Sequence, residues 1–402
     1  MLSGWDLVVI GVVLLAYALV SGRLTGTPVT AAMIFVTVGF VIGSDVLDVL
    51  DVAVGSDDLR LLAEITLSLL LFSDAAALDS RRLVRETVVP ARLLGLALPL
   101  AIVVGSALAV VVFPDLGVFE AAALAVMLAP TDAALGQTVV ADRRLPSVVR
   151  QGLNVESGLN DGVCVPLLVA AVAFAELDEA PTFEGEVLVD LVEELLVAGV
   201  VGVAVAVVVA TLSKASVRRH WVQDGWALVI PLVATVVAYA ATVELGGSGF
   251  IASFVAGLTY GRLLGPSAHR ATELTEELGG LLSAVTFLLF GAVMLGRGFS
   301  DLDARTVLYA IASLTVVRMI PVALSLLGSG ARWPTMIFAG WFGPRGLATI
   351  VFALTVVEES GLTGTRRIVD VATVTVAFSV FAHGLTAPAL TDRYVRWFTA
   401  NE

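Results

Sequence analysis

Residues 129–132 read Ala-Pro-Thr-Asp, and residues 156–161 read Glu-Ser-Gly-Leu-Asn-Asp. The two stretches lie near the middle of long apolar segments, roughly 119–140 and 147–175. An ionisable group at the centre of a bilayer costs about 2.5–3.5 kcal/mol on insertion scales. Such groups persist where they line a polar cavity and bind something. Because several of them fall at one depth, the sequence points to an ion pathway.

The composition is that of a membrane protein. Of the 402 residues, 58% are hydrophobic and 15% are charged, whereas a soluble protein carries about 25% charged residues. The net charge of −13 and the single lysine, Lys214, give no basic footprint for nucleic acid. The one cysteine, Cys164, cannot form an intrachain disulfide and is predicted to be a small core residue.

The sequence gives no sign of an enzyme or of a bound cofactor. The three histidines form no zinc-like cluster and no HExxH motif. No Gly-x-Ser-x-Gly elbow or histidine-based dyad is present, which disfavours an intramembrane protease. We therefore expect no catalytic residues and no cofactor, only a transported ion.

Apolar segments recur along the whole chain at the length that a bilayer requires, about 20 residues for a helix. The predicted fold class is an all-α polytopic membrane protein, with about thirteen transmembrane helices, inverted repeats and two interrupted crossing helices. The first segment contains Asp6 and lacks a basic start, so it is predicted to be retained rather than cleaved as a signal peptide. The predicted spans are 5–21, 29–43, 58–77, 86–113, 118–140, 147–175, 186–213, 225–244, 247–263, 273–297, 303–327, 334–357 and 366–391.

Basic residues follow alternate spans, whereas the loops 45–58 and 176–194 are acidic. The positive-inside rule places the basic side in the cytoplasm, so the N-terminus is predicted outside the cell membrane and the C-terminus inside. The loop after span 12 contains Arg366 and Arg367 and is the exception. The basic residues that follow spans 3, 5, 7, 9 and 13 are Arg81, Arg82, Arg85, Arg143, Arg144, Arg150, Lys214, Arg218, Arg219, Arg262, Arg270, Arg393 and Arg396.

Spans 5 and 12 are predicted to be interrupted. Pro130 precedes Thr131 and Asp132 in span 5, and residues 343–346 of span 12 read Gly-Pro-Arg-Gly. Proline removes a backbone donor and glycine loosens the helix. Paired interruptions in two halves of a transporter point to a binding site at the midplane. On this topology the two spans run in opposite directions, as inverted repeats do; two independent kinks are the alternative.

Span 6 carries polar residues on two faces. Glu156 and Asn160 lie about 40° apart around a helix and share one face, whereas Asp161 lies about 140° from Glu156. Pro166 has no N–H, so the carbonyl of Gly162 loses its helical partner close to Asp161.

Buried charges are expected to be paired, and arginine is the usual partner of a carboxylate. We predict that Arg345 meets Asp132 where the interrupted helices cross and that Arg318 meets Glu156. Asp161, with Asp74, would remain to hold either a proton or a cation. The predicted intramembrane charges are Asp74, Asp132, Glu156, Asp161, Arg318 and Arg345.

Several of these residues have a second interpretation. Asp74 lies about one turn from the end of span 3 and could be interfacial. Arg318 could be purely structural. His383 could carry protons or could be a hydrogen-bonded packing residue. Thr131 and Ser157 could coordinate a cation through oxygen or could serve helix packing.

These motifs resemble those of the NhaP-like and eukaryotic Na+/H+ exchanger branch of the cation:proton antiporter superfamily. The resemblance rests on Thr131-Asp132, on Glu156-x-x-x-Asn160-Asp161 and on the motif at 343–346, and it covers essentially the whole chain. It implies a homodimer in which a core domain moves in an elevator-like fashion. The sequence departs from larger relatives in that we expect no soluble regulatory domain. The implied dimerisation helices are 1–43 and 186–263, and the implied core helices lie within 58–175 and 273–391, including 118–140, 147–175, 303–327 and 334–357.

The resemblance also implies the roles of the site residues. Asp161 would be the central ligand of Na+ and of the proton, assisted by the Thr131 carbonyl, Ser157, Asn160 and Asp74. Electrogenic relatives carry Asp where Asn160 stands, so electroneutral exchange of one Na+ or Li+ for one proton is implied. A K+/H+ antiporter and a cation channel of the same superfamily are the alternatives.

Overall fold

The computed structural model describes residues 3–24, 27–50, 57–77, 88–140, 142–179, 186–300, 302–359 and 362–401. Within these residues all regular structure is helical, which confirms the predicted fold class. Eight helices there are long and apolar enough to cross a membrane, and shorter apolar helices accompany them. The predicted basic loop with Arg81, Arg82 and Arg85 lies outside the described residues.

Each predicted span coincides with one helix or with a helix in two or three pieces. We number the helices in chain order and divide the fifth and twelfth into halves a and b. The bounds are α1 (Gly4–Leu24), α2 (Ala31–Ile42), α3 (Asp57–Ala77), α4 (Val88–Val112), α5a (Val118–Met127), α5b (Ala133–Val140), α6 (Ser147–Glu179), α7 (Glu186–Arg218), α8 (Asp224–Glu244), α9 (Gly249–Leu264), α10 (Glu273–Phe290, continuing through Gly291–Leu295 and Gly296–Ser300), α11 (Ala304–Leu314 and Val316–Ser325), α12a (Trp333–Trp341), α12b (Leu347–Glu359) and α13 (Thr365–Asn401).

Two of the shortest predicted spans, 29–43 and 247–263, are helices with clear ends. α2 begins after Thr30, whose hydroxyl accepts the N–H of Met33 at 3.3 Å, so the side chain satisfies a donor that the helix leaves free. α9 ends at Gly265, which has φ 61°, a conformation that glycine adopts at little cost.

The helices pack in two groups that meet near the candidate site. α3 packs most extensively on α9 and α10, and α10 packs on α2. In the second group α4 packs on α5a, α5a on α6, and α11 and α12b on α13. α3 also contacts α6 and α12b, so it lies at the junction of the groups. The predicted division into dimerisation and core helices remains a prediction.

Close packing against α9 fixes the position of α3. A Cβ on Gly257 would lie 2.8 Å from Phe72 Cα, and one on Gly261 would lie 2.8 Å from Ala76 Cα. Small residues four apart let two backbones approach closely inside a membrane. Because Asp74 lies between those two contacts on α3, this interface holds Asp74 at a defined depth.

Candidate ion-binding site

Two helices are broken at the same place in the fold. Residues 128–132 are not helical between α5a and α5b, and residues 342–346 are not helical between α12a and α12b. The hydroxyl of Thr349 donates to the Met127 carbonyl at 3.0 Å, and the N–H of Asp132 donates to the Pro344 carbonyl at 2.7 Å. Earlier residues of one segment thus face later residues of the other, so the two breaks cross antiparallel.

The Asp132 carboxylate joins the two broken helices. Its Oδ1 accepts the N–H of Leu135 at 3.0 Å, and its Oδ2 accepts the N–H of Leu347 at 2.8 Å. These N–H groups belong to the first turns of α5b and α12b, where the helix dipole favours a negative charge. One carboxylate therefore caps two helix N-termini.

Arg345 binds the other side of the break in α5. Its guanidinium donates to the carbonyls of Ala129 and Pro130, the latter at 3.0 Å. These carbonyls follow the C-terminus of α5a, where a cation is favoured. The prediction that Arg345 binds the Asp132 carboxylate is corrected here, because the guanidinium bonds instead to the backbone. An unsatisfied backbone group in a membrane costs several kcal/mol, so both charges stabilise the broken backbone.

Glu156 and Arg318 form a buried ion pair between α6 and α11. The two nitrogen–oxygen distances are 2.5 and 2.8 Å, and the side chains are only 1% and 2% exposed. Arg318 also borders the break in α12, since a Cβ on Gly343 would lie 2.5 Å from its Nε. The predicted contact is thus present, and Gly343 makes room for it.

Beside the break in α5, three polar side chains meet. The amide Nδ2 of Asn160 donates to the Thr131 hydroxyl at 2.7 Å, and Thr131 Oγ1 lies 3.0 Å from Ser157 Oγ. Hydroxyl and amide oxygens of this kind suit a hard cation. Thr131 and Asn160 are fully buried, so the cluster lies inside the protein rather than at its surface.

Asp161 and Asp74 lie next to this cluster. Asp161 Oδ1 is buried and has no hydrogen-bond partner, and the same holds for Asn160 Oδ1. Asp74 lies against α6, where a Cβ on Gly158 would be 3.6 Å from Asp74 Cβ. Asp161 follows Ser157 by four residues on α6, so the two residues lie one turn apart on the helix. The structure therefore brings the predicted ligands together around one region of α6, whereas their roles as ligands remain a prediction.

Two hydroxyl residues that hold the crossing in place had no distinguishing sequence signal. Thr349 bonds the end of α5a, and Ser379 Oγ on α13 accepts the N–H of Arg345 at 2.6 Å. Small hydroxyl residues are common in membrane helices as packing residues. Only the tertiary structure distinguishes these two from the others.

The fold and the site define a polytopic membrane protein built on interrupted, crossing helices. The family model described as the transmembrane region of the sodium/hydrogen exchangers matches residues 10–393. The chain therefore belongs to the sodium/hydrogen exchanger family.

Relatives in this family carry names for two different cations. The Na+/H+ antiporter ApNhaP of Aphanothece halophytica is 27% identical over 363 residues, which cover 83% of this chain and 64% of that protein. The K+/H+ antiporter NhaP of Alkalimonas amylolytica is 25% identical over 233 residues, which cover 58% of this chain and 40% of that protein. This chain thus spans less than half the length of the Alkalimonas relative in the matched region.

Among solved structures, the sodium proton antiporter MjNhaP1 of Methanocaldococcus jannaschii at pH 8 has the same fold. The TM-score is 0.77 over 97% of this chain and 98% of that one, at 19% sequence identity. At this identity the likeness establishes the fold of the chain and leaves its transported ion open.

Proposed function

We propose that the protein is a secondary antiporter that exchanges Na+ or Li+ for H+ by alternating access, with cation and proton competing for Asp161. The observation that carries this proposal is the buried Oδ1 of Asp161, which has no hydrogen-bond partner. By contrast, Glu156 is bound by Arg318 and Asp132 caps two helices. A carboxylate whose buried oxygen has no hydrogen-bond donor in the protein is stabilised by taking up a proton or a cation.

The same competition couples the two fluxes. A charged carboxylate crosses an apolar barrier at high cost, whereas a carboxylate neutralised by a proton or by a cation crosses at a lower one. We propose that the core helices within 58–175 and 273–391 slide against the dimerisation helices 1–43 and 186–263 of a homodimer. This movement would open the site alternately to the two sides of the cell membrane, with the N-terminus outside.

Electroneutral exchange is supported by Asn160. Its Nδ2 donates to the Thr131 hydroxyl at 2.7 Å, and an ionised carboxylate at that position could only accept. The amide keeps Thr131 in place and contributes no titratable group of its own. On this account one cation replaces one proton.

K+/H+ exchange is the second candidate, because relatives with that name match the chain. The hydroxyl and amide oxygens of Thr131, Ser157 and Asn160 are hard ligands that suit either cation. The same exchange mechanism applies to either cation, and a transport assay with both ions decides the selectivity.

The test uses purified protein in liposomes that contain a pH-sensitive dye. Outward or inward gradients of Na+, Li+ or K+ are imposed, with the membrane potential clamped or free, and Asp161→Asn liposomes serve as the control. The proposal predicts a Na+- or Li+-driven pH change that is independent of the clamp. A response to K+ alone would replace the ion, a voltage-sensitive response would overturn electroneutrality, and no pH change with any cation would refute antiport.

A further inference from the structure

α13 runs alongside the break in α12 and contacts Trp341, the residue that precedes this break. The carbonyl of Trp341, the last residue of α12a, lies 2.9 Å from Nε2 of His383. The Trp341 ring stacks on the imidazole at a centroid distance of 5.0 Å, and its indole N–H donates to the Thr386 hydroxyl at 3.0 Å. Because a carbonyl can only accept, Nε2 of His383 must carry the hydrogen in this contact.

The second imidazole nitrogen, Nδ1, contacts Ser379, which in turn bonds to Arg345 near the C-terminal end of the break. Nδ1 of His383 lies 3.2 Å from Ser379 Oγ, which itself accepts the N–H of Arg345 at 2.6 Å. In a neutral imidazole with Nε2 protonated, Nδ1 accepts the Ser379 hydroxyl hydrogen. A second proton on the ring would turn Nδ1 to the Ser379 carbonyl, 3.0 Å away, and would add a cation near Arg345 and Arg318.

We propose that His383 and Ser379 are positioning residues for the cation site, acting through Arg345. The chain of contacts runs from Trp341 through His383 and Ser379 to the backbone of Arg345, and so spans the non-helical segment 342–344. The Arg345 guanidinium then holds the carbonyls that directly precede Thr131. The helix α13 thereby fixes both ends of one break and, through Arg345, the position of Thr131 in the other.

A positioning role differs from a proton-carrying one, because it depends on the hydrogen bonds of the two ring nitrogens and not on a change in their protonation. It predicts that His383 can be replaced without loss of proton coupling, provided that the replacement still donates to the Trp341 carbonyl. Only the transport test of this proposal rests on the proposed antiport function. A second test therefore measures the protection of backbone amides, which does not depend on transport.

The variants separate the two contacts of the imidazole. His383→Gln retains a terminal donor for the Trp341 carbonyl, His383→Asn retains a polar group near Ser379, and His383→Leu retains neither. Ser379→Ala is the matched variant that removes the acceptor of the Arg345 N–H. Thr386→Val is the control, since it loosens the Trp341 ring and leaves the chain of contacts intact.

For transport, His383→Leu and Ser379→Ala are expected to raise the apparent KM for the cation about tenfold, the effect of losing one buried hydrogen bond. The maximal rate should fall much less, and His383→Gln should restore most of the KM. The pH profile of exchange should be unchanged in His383→Gln. A shifted pH profile, or complete loss of exchange in a folded His383→Gln protein, would overturn the proposal in favour of a proton carrier.

Hydrogen–deuterium exchange at the segments 128–132 and 341–347 tests the positioning without transport. Both segments are expected to exchange faster in His383→Leu and Ser379→Ala than in the wild type, and to be close to wild type in Thr386→Val. Unchanged protection in both breaks would refute the proposal. If wild-type liposomes show no exchange of any cation, the antiport function fails, whereas this comparison of backbone protection still decides the role of His383.

Discussion

The break in α5 and the break in α12 cross each other, yet they face different groups. In α5 the Thr131 hydroxyl points to Ser157 and Asn160, next to Asp161. In α12 the corresponding polar residue, Arg345, is buried, and its guanidinium donates to the carbonyls of Ala129 and Pro130. The break in α5 therefore borders the candidate ion site, whereas the break in α12 stabilises the break in α5.

The charges show the same division. Asp132 and Arg345 neutralise helix ends rather than each other, and Glu156 is bound to Arg318. Asp161 alone among the acids of α5 and α6 in this region keeps a buried oxygen without a hydrogen-bond partner, in the part of the chain that the structure describes. The comparison thus predicts that substitutions in the candidate ion site affect transport. Substitutions in the contacts that support the breaks should affect stability.

The largest expected effect on transport is at Asp161. Asp161→Asn removes the group for which cation and proton compete and should reduce exchange to the level of empty liposomes, without lowering thermal stability. Asp74→Asn is the matched change on α3, and it should weaken cation affinity while leaving measurable exchange. The liposome assay and a thermal unfolding scan check both variants. Exchange at the wild-type rate in Asp161→Asn would contradict the assignment.

Among the contacts that support the breaks, the largest effect on stability is expected at the buried ion pair of Glu156 and Arg318. Arg318→Met leaves Glu156 charged and without its partner, and breaking such a pair costs about 3–5 kcal/mol. The double variant Arg318→Met, Glu156→Leu should recover much of that loss, because two apolar side chains need no charge compensation. Equilibrium unfolding in detergent measures the difference. A single variant that is as stable as the double one would show that the pair is not energetically coupled.

A finer test removes one hydroxyl from each side. Ser157→Ala deletes a group next to Thr131 in the candidate ion site, and Thr349→Val deletes the donor to the Met127 carbonyl. Ser157→Ala should raise the apparent KM for the cation severalfold with little change in stability. Thr349→Val leaves a buried carbonyl short of a donor, so it should cost about 1–3 kcal/mol of stability. A stability loss in Ser157→Ala together with a KM effect alone in Thr349→Val would contradict the different roles of the two breaks.

The smallest effect is expected at the ends of α5b and α6, far from the crossing. A hydrogen bond from Arg144 holds the pKa of Asp142 below its ordinary value of 3.8. The ionised form of Asp142 therefore contributes fully above pH 4, and its contribution is lost only as the pH falls through the lowered pKa. Asp142→Asn should lower stability slightly, by the same amount throughout pH 5 to 9, and should leave the exchange profile unchanged. A shifted profile would mean that groups outside the crossing set the pH response.

The helices of this fold are predictable from sequence, because a bilayer imposes length and apolarity on every span. Even the short segments 29–43 and 247–263 are helices, and the residues 343–346 mark a real break. The contact of Arg318 with Glu156 follows from charge pairing alone. These features depend on local pattern and on the cost of burying charge, both of which a single sequence carries.

The remaining details depend on tertiary packing. Pairing Arg345 with Asp132 was wrong because charge counting ignores the free backbone groups at four helix ends, which compete for the same side chains. Glu120, a further buried acid, bonds to the N–H groups of Gly117 and Gly364 and carried no sequence signal. Arg367, an exception to the predicted loop charge pattern, pairs with Asp303 at 3.0 Å.

The central claim is competition between a cation and a proton for Asp161, and the dependence of cation affinity on pH tests it most directly. The measurement is the apparent KM for Na+, or for K+ if that is the transported ion, in liposomes at a series of pH values under voltage clamp. One-for-one competition predicts that KM rises about tenfold for each unit of decreasing pH in the acidic range. A KM that is independent of pH would contradict the account.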